Sequence, residues 1–370
     1  MAKSAPPTSR DQLLARYGDG ERYFAFANLE QADLQGVVLD GANLCGANLC
    51  GANLNGAKLR RVHCERAHLV GAQLQKADLL EANFTGAYLR GANLRNAYLR
   101  SAVLKDAHLE LTYLLGAYLK KADLRCARIT HAHLEKALLQ GADLGSAQLG
   151  RSHLEDAHLE GANLERARLP ETQLEGAHLD GADLIRAWLK EANLSGAYLE
   201  EASLEGAHLE GANLSGAHLE GAKLIGAMTE GACFKGAYIE GLDLYGTELE
   251  DLDPVDLTSM DVVTRELIAK RLGVKATELG RDRTGKRRSE EPAKTQPSAD
   301  GSSTGRTTSM RSISKRVLAQ GNPFASQPVP TDSSAGRVVA LHRAVTRAPA
   351  NMRARAKVGA QGSDESAADA

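Results

Sequence analysis

The side chains of this 370-residue chain that are equipped for chemistry recur at a fixed interval. His158, His178, Tyr198, His218 and Tyr238 stand 20 residues apart, and each is followed two residues later by a carboxylate: Glu160, Asp180, Glu200, Glu220 and Glu240. Earlier in the chain the same spacing carries Tyr98, Tyr118 and Leu138, followed by Arg100, Lys120 and Gln140. A histidine beside a carboxylate is the material of general acid–base catalysis and of metal ligation. Here the pairing is produced by periodicity, as it is for His63, His68, His131, His133 and His153, so no unique set of nucleophile, base and orienting acid stands out. The glycines follow a strict five-residue spacing and not the strand–loop–helix context of a phosphate loop. Cys45, Cys50 and Cys64 lack partners at zinc-site spacing. The sequence therefore assigns no catalytic, cofactor or metal residue, and the expectation is a non-enzyme that works by binding.

The element that must position these residues is an internal repeat. From Leu29 to Leu249, positions five apart form one register of 45 residues, and leucine fills 39 of them. Two residues earlier, from Ala27 to Thr247, alanine fills 38 of 45. A period of five matches neither a 3.6-residue helix nor a two-residue strand. It suits a coil in which every pentapeptide is one short side followed by a corner. Alanine and leucine then point inward together, and the other three positions face outward or turn. Glycine occupies 23 of the 45 corner positions, Gly36 and Gly41 among them, where it accepts backbone angles that other residues resist.

Stretches such as Gly41-Ala42-Asn43-Leu44-Cys45-Gly46-Ala47-Asn48-Leu49 closely resemble the pentapeptide-repeat family, whose consensus is A(D/N)LXX. The resemblance spans residues 25–251. It implies an all-β solenoid, a right-handed quadrilateral β-helix with four pentapeptides per coil. The register would then make about eleven coils, roughly 50 Å long at the usual inter-strand spacing. Residues 20 apart would stack on one face, which places His158, His178, Tyr198, His218 and Tyr238 in one row and their five carboxylates in another. A further row, Asn43, Asn83, Asp123, Asp143, Asn163, Asp183 and Asp243, is expected to stabilise turns by bonding nearby backbone.

The expected domains are an N-terminal segment over 1–24, the β-helix over 25–253, a C-terminal capping helix over 254–275, and a basic, mostly disordered tail over 276–370. Ser9-Arg10-Asp11-Gln12 reads as a capping box that opens a short helix to about Tyr17, closed by Gly18. The formal charge of −2 conceals a division: residues 151–253 hold 7 Lys+Arg against 21 Asp+Glu, and residues 254–370 hold 20 against 12. No aliphatic run is long enough for a membrane span and no apolar stretch marks a leader, so a cytoplasmic protein is expected.

These surfaces lead to three functional readings. The first is a scaffold that engages a protein partner through its outward faces, with the stripe of the C-terminal half as the contact. The second is implied by the resemblance, because some family members mimic DNA, bind DNA gyrase or topoisomerase IV and protect against gyrase poisons such as quinolones. Such members dimerise through a C-terminal helix. The third is nucleic-acid binding by the tail cluster Arg281, Arg283, Lys286, Arg287 and Arg288, whose charges suit phosphates.

Overall fold

The structure is a computed structural model in which residues 5–247 are described. The expected capping helix over 254–275, any dimer contact through it, and the tail with its Arg281–Arg288 cluster lie outside the described residues. Every β-bridge in the repeat is parallel and joins residues 20 apart, from Tyr23–Asn43 to Lys223–Asp243. Four pentapeptides therefore complete each turn of a four-sided coil. Each side contributes a single bridging residue and no extended strand, because the corner follows within the same five residues.

One unit shows why the repeat takes this form. The N–H of Leu164 donates to the Asp183 carbonyl at 2.6 Å, and that of Arg166 to Ile185 at 2.9 Å, both on the next coil. The N–H of Arg168 donates to Ala147 on the coil before at 2.8 Å, and that of Ala167 closes a turn onto Leu164 at 2.9 Å. The fifth donor, Glu165 N–H, bonds the Asn163 side-chain oxygen at 2.9 Å. All five amides of the unit are thus satisfied, as backbone so close to a core requires. The Asn/Asp row behaves as expected. Its seven side chains accept from the amides of Cys45, Thr85, Arg125, Gly145, Glu165, Ile185 and Tyr245, each two residues on.

The alanine and leucine columns are buried through the described coils except at Ala32, which is partly buried. Departures in the alanine column bring their own partners: the Thr112, Ser152 and Thr172 hydroxyls donate to the carbonyls of Leu109, Ile129 and Leu149. Thr229, in the leucine column, has a buried hydroxyl with no partner among the described residues.

The corners bear out the expectation about glycine and extend it to other residue types. Every fifth residue from Phe26 to Gly246 has a left-handed φ, and 22 of these residues are not glycine, including Leu111 and Glu201. Left-handed backbone costs an L-residue about 1–2 kcal/mol. The hydrogen bonds to both neighbouring coils impose it regardless of residue type. Sterics add a demand at Gly46, where a Cβ would come within 2.7 Å of the Phe26 ring.

Helix α1 spans Arg10–Gly18. Ser9 caps it as expected, accepting the Gln12 N–H, but the Gln12 carboxamide reaches back to the Thr8 N–H and not to that of Ser9. Gly18 is the last helical residue and not the stop; Asp19 is the C-cap and Gly20 takes the left-handed φ of +91°. Leu13 of α1 is fully buried in the same core as Phe24, and Tyr17 donates to the Asp40 carbonyl, so α1 covers the first coil. Among the described residues no helix is long and apolar enough to cross a membrane.

Candidate protein-binding face

The coil brings the ten site residues expected from the sequence together on one face. His158, His178, Tyr198, His218 and Tyr238 form a continuous stack with ring centroids 4.3–4.8 Å apart and planes within 14° of parallel. The bridges that join these residues set that spacing. The stack adds aromatic contact to the backbone ladder while leaving the rings part-exposed. Further up the same face Tyr98 stacks on Tyr118 at 4.8 Å, and Leu138 interrupts the column between the two stacks.

Beside the rings runs the carboxylate row. Glu160 lies 2.8 Å from His158 Nδ1, and Glu220 lies 3.5 Å from His218 Nδ1. One oxygen of each of Glu160, Asp180 and Glu220 is buried and has no hydrogen-bond partner among the described residues. Burial, with the charge of Asp180 and a hydrogen bond to it, holds the Glu200 carboxyl above the ordinary carboxylate range; the Glu220 charge adds to this and His218 opposes it. The row is therefore a set of anions short of cations.

Three groups of side chains, including His158 with Glu160 and His178, bring ligand atoms within 4.8 Å of one another. The His158 and His178 planes lie 3° from parallel, so their in-plane lone pairs run side by side and do not converge on one ion. Cys45 donates to Glu65 at 2.8 Å, and burial followed by that carboxylate pushes its thiol up to about 11.

A second cluster was not drawn from the sequence. On another face of the same coils Arg166, Arg168 and Arg186 surround Trp188, which stacks on His208 at 4.4 Å. The Arg168 guanidinium lies 5.8 Å from the Trp188 ring centroid. Sorting the corner residues at the 20-residue spacing, as was done for the outward rows, would have placed Arg166 and Arg186 above one another and beside Trp188.

The model for pentapeptide repeats matches this chain eight times, over residues 27–63, 67–106, 102–141, 117–156, 142–181, 157–196, 192–227 and 202–241. The chain belongs to the pentapeptide-repeat family. Its four-sided coil is the family's right-handed β-helix. Among solved structures, HetL of the cyanobacterium Nostoc sp. strain PCC 7120, involved in regulating heterocyst differentiation, is 34% identical over 65% of this chain and 98% of its own, with a TM-score of 0.37. QnrB1, a plasmid-mediated fluoroquinolone resistance protein, is 19% identical over 60% of this chain and 96% of its own, with a TM-score of 0.37. A pentapeptide-repeat protein of the Arabidopsis thaliana thylakoid lumen is 28% identical over 35% of this chain and 72% of its own, with a TM-score of 0.17. No curated protein sequence matches the chain.

Proposed function

We propose that this pentapeptide-repeat protein is a non-catalytic binding protein that engages a protein partner through the face built by His158, His178, Tyr198, His218 and Tyr238 and by the carboxylates beside them. The observation that carries this reading is the unbroken row of five part-exposed or exposed carboxylates, Glu160, Asp180, Glu200, Glu220 and Glu240, beside the stacked rings. A partner presenting Lys or Arg along the row would pair with the outward carboxylate oxygens at several rungs. The part-exposed rings alongside give such a partner a flat surface to cover.

The test replaces Glu160, Glu200, Glu220 and Glu240 with Gln and Asp180 with Asn in the full-length chain. Binding partners are then captured with the wild-type and neutralised proteins. Loss of a partner on neutralisation, with the thermal melt unchanged, supports the reading; equal capture by both proteins overturns it. The same ladder of anions favours a second reading, in which the face stands in for DNA on gyrase or topoisomerase IV. In a gyrase supercoiling assay the wild-type protein would then alter activity at low salt and the neutralised protein would not. Binding by the tail cluster is separated from both by DNA mobility shifts, which neutralising the face would leave intact.

A further inference from the structure

Between Asp40 and the carboxylate ladder, the same outward row carries the opposite sign. Arg60, Leu80, Arg100, Lys120 and Gln140 precede Glu160, Asp180, Glu200, Glu220 and Glu240 at the same 20-residue spacing, so the face reverses its charge between Lys120 and Glu160. Arg60 is held by Asp78 at 2.6 Å. Arg100 and Lys120 are exposed and have no ion-pair partner among the described residues. Next to them Leu80, Tyr98, Tyr118 and Leu138 line an open apolar groove in which Tyr98 and Tyr118 are 48% and 40% exposed. Unpaired cations beside apolar surface, and carboxylates with no Lys or Arg beside them a few rungs further along the same face, form a self-complementary pattern.

We infer that this face pairs with the same face of a second copy of the chain, the two coil stacks running antiparallel. This rests on the reading above that the face is a protein-binding surface, and it names the partner. A twofold axis lying in the interface and perpendicular to the coil axis, near the coil of Leu138 and Gln140, lays each row upon itself with its direction reversed. Lys120 and Arg100 of one copy then meet the Glu160 and Asp180 rungs of the other, twice by symmetry. The ring row meets itself in the same way, so Tyr98 and Tyr118 cover His158 and His178, and the Leu138 side chains lie close to the axis. A parallel arrangement would oppose like charges at every charged rung and is disfavoured for that reason. Both surfaces repeat at the inter-strand spacing of ~4.8 Å, so a pair formed at one rung brings its neighbours into register.

The contact is largely polar and exposed, so the association is moderate in strength and sensitive to salt. Sedimentation equilibrium of the full-length chain tests it. The wild-type protein is expected to dimerise at low salt (~50 mM) and to dissociate progressively as the salt rises towards ~500 mM. Arg100→Glu with Lys120→Glu reverses the two unpaired cations of the row and should weaken self-association by about 100-fold or more, since four symmetry-related contacts turn repulsive. Glu160→Lys, Asp180→Lys and Glu200→Lys together make the other half basic and should also give a monomer. An equimolar mixture of the two variants should restore a species of dimer mass, because each presents what the other lacks. A dimer that survives Arg100→Glu/Lys120→Glu overturns the proposal, including one held by a tail docking on the ladder, which these substitutions leave untouched. A wild-type chain that is monomeric at low salt overturns it too. The binding-face reading would stand in either case if neutralising the ladder still abolished capture of a different protein.

Discussion

Two faces of the same coils carry opposite chemistry over the same interior. Along one, Glu160, Asp180, Glu200, Glu220 and Glu240 accompany stacked rings; along another, Arg166, Arg168 and Arg186 surround Trp188. Behind both are alanine and leucine columns with the same bridging and the same burial. Each coil contacts only its neighbours, so the fold is a sum of repeating local terms. Outward side chains enter those terms weakly, which leaves them free to differ from face to face. The comparison teaches that in this chain the interior specifies the fold and leaves the exterior free to vary from face to face.

The sharpest way to break that division is to exchange the two environments. Leu154→Asp puts a charge with no partner into a fully buried column and should destabilise the coil stack by several kcal/mol. Leu138→Asp, on the part-exposed outer face, should leave the melting temperature nearly unchanged. Thermal unfolding followed by circular dichroism checks both. Equal losses would mean that outward positions carry the fold as well.

Corner residues lie between the two regions and should respond to a smaller degree. Leu111 is exposed and held at φ +59°, so Leu111→Gly relieves a left-handed cost of about 1–2 kcal/mol while adding unfolded-state entropy. The net expectation is a stabilisation of up to about 1 kcal/mol. Gly161→Ala, at φ +62° with nothing near its Cβ position, should shift stability by a similar amount in the opposite direction. Chemical denaturation of the two variants measures this. The same sign for both would mean that strain at the corners does not set their energetics.

Thr229 breaks the rule of the interior from within. It occupies a leucine-column position and is 2% exposed, with its hydroxyl unpartnered among the described residues. Thr229→Val removes the orphan group while keeping the branched shape, and should stabilise by about 1 kcal/mol. A rise in the denaturation midpoint without a change in slope is the expected result.

How much of this was legible follows from the same division. The five-residue register, with leucine at 39 of 45 positions, identified the coil because burial acts on every unit alike. The Asn163 bond to the Glu165 amide was legible because it lies within two residues. The left-handed φ at Leu111 and Glu201 was not, because it is imposed by hydrogen bonds from coils 20 residues away and not by local preference. The rows of rings and carboxylates emerged once residues were sorted by coil. The Arg166–Arg186–Trp188 cluster is legible only when the corner positions too are sorted by coil, because Arg166 and Arg186 occupy corners. Likewise the Gln12 side chain chose the Thr8 amide over that of Ser9, a choice between adjacent donors that the capping-box pattern does not resolve.

The smallest expected effect lies on the outer face itself and depends on pH. Glu200 has its carboxyl held above the ordinary range, first by burial and then by Asp180. A raised carboxyl pKa favours the protonated form in the folded chain. Below the unfolded value of about 4.3 both states are protonated and the group has no effect. As pH rises through the raised folded value, ionisation costs more in the folded chain than in the unfolded one, so stability falls. Glu200→Gln removes this term, and the variant should melt slightly above the wild type at neutral pH and together with it well below pH ~4. Because the Glu200 side chain is half exposed, solvent screens the effect and the difference should be small and should shrink further in high salt. A variant that melts below the wild type at neutral pH would show that the Glu200 charge is stabilised where it stands, by His218 at 4.0 Å, and that the ladder is not short of cations at that rung.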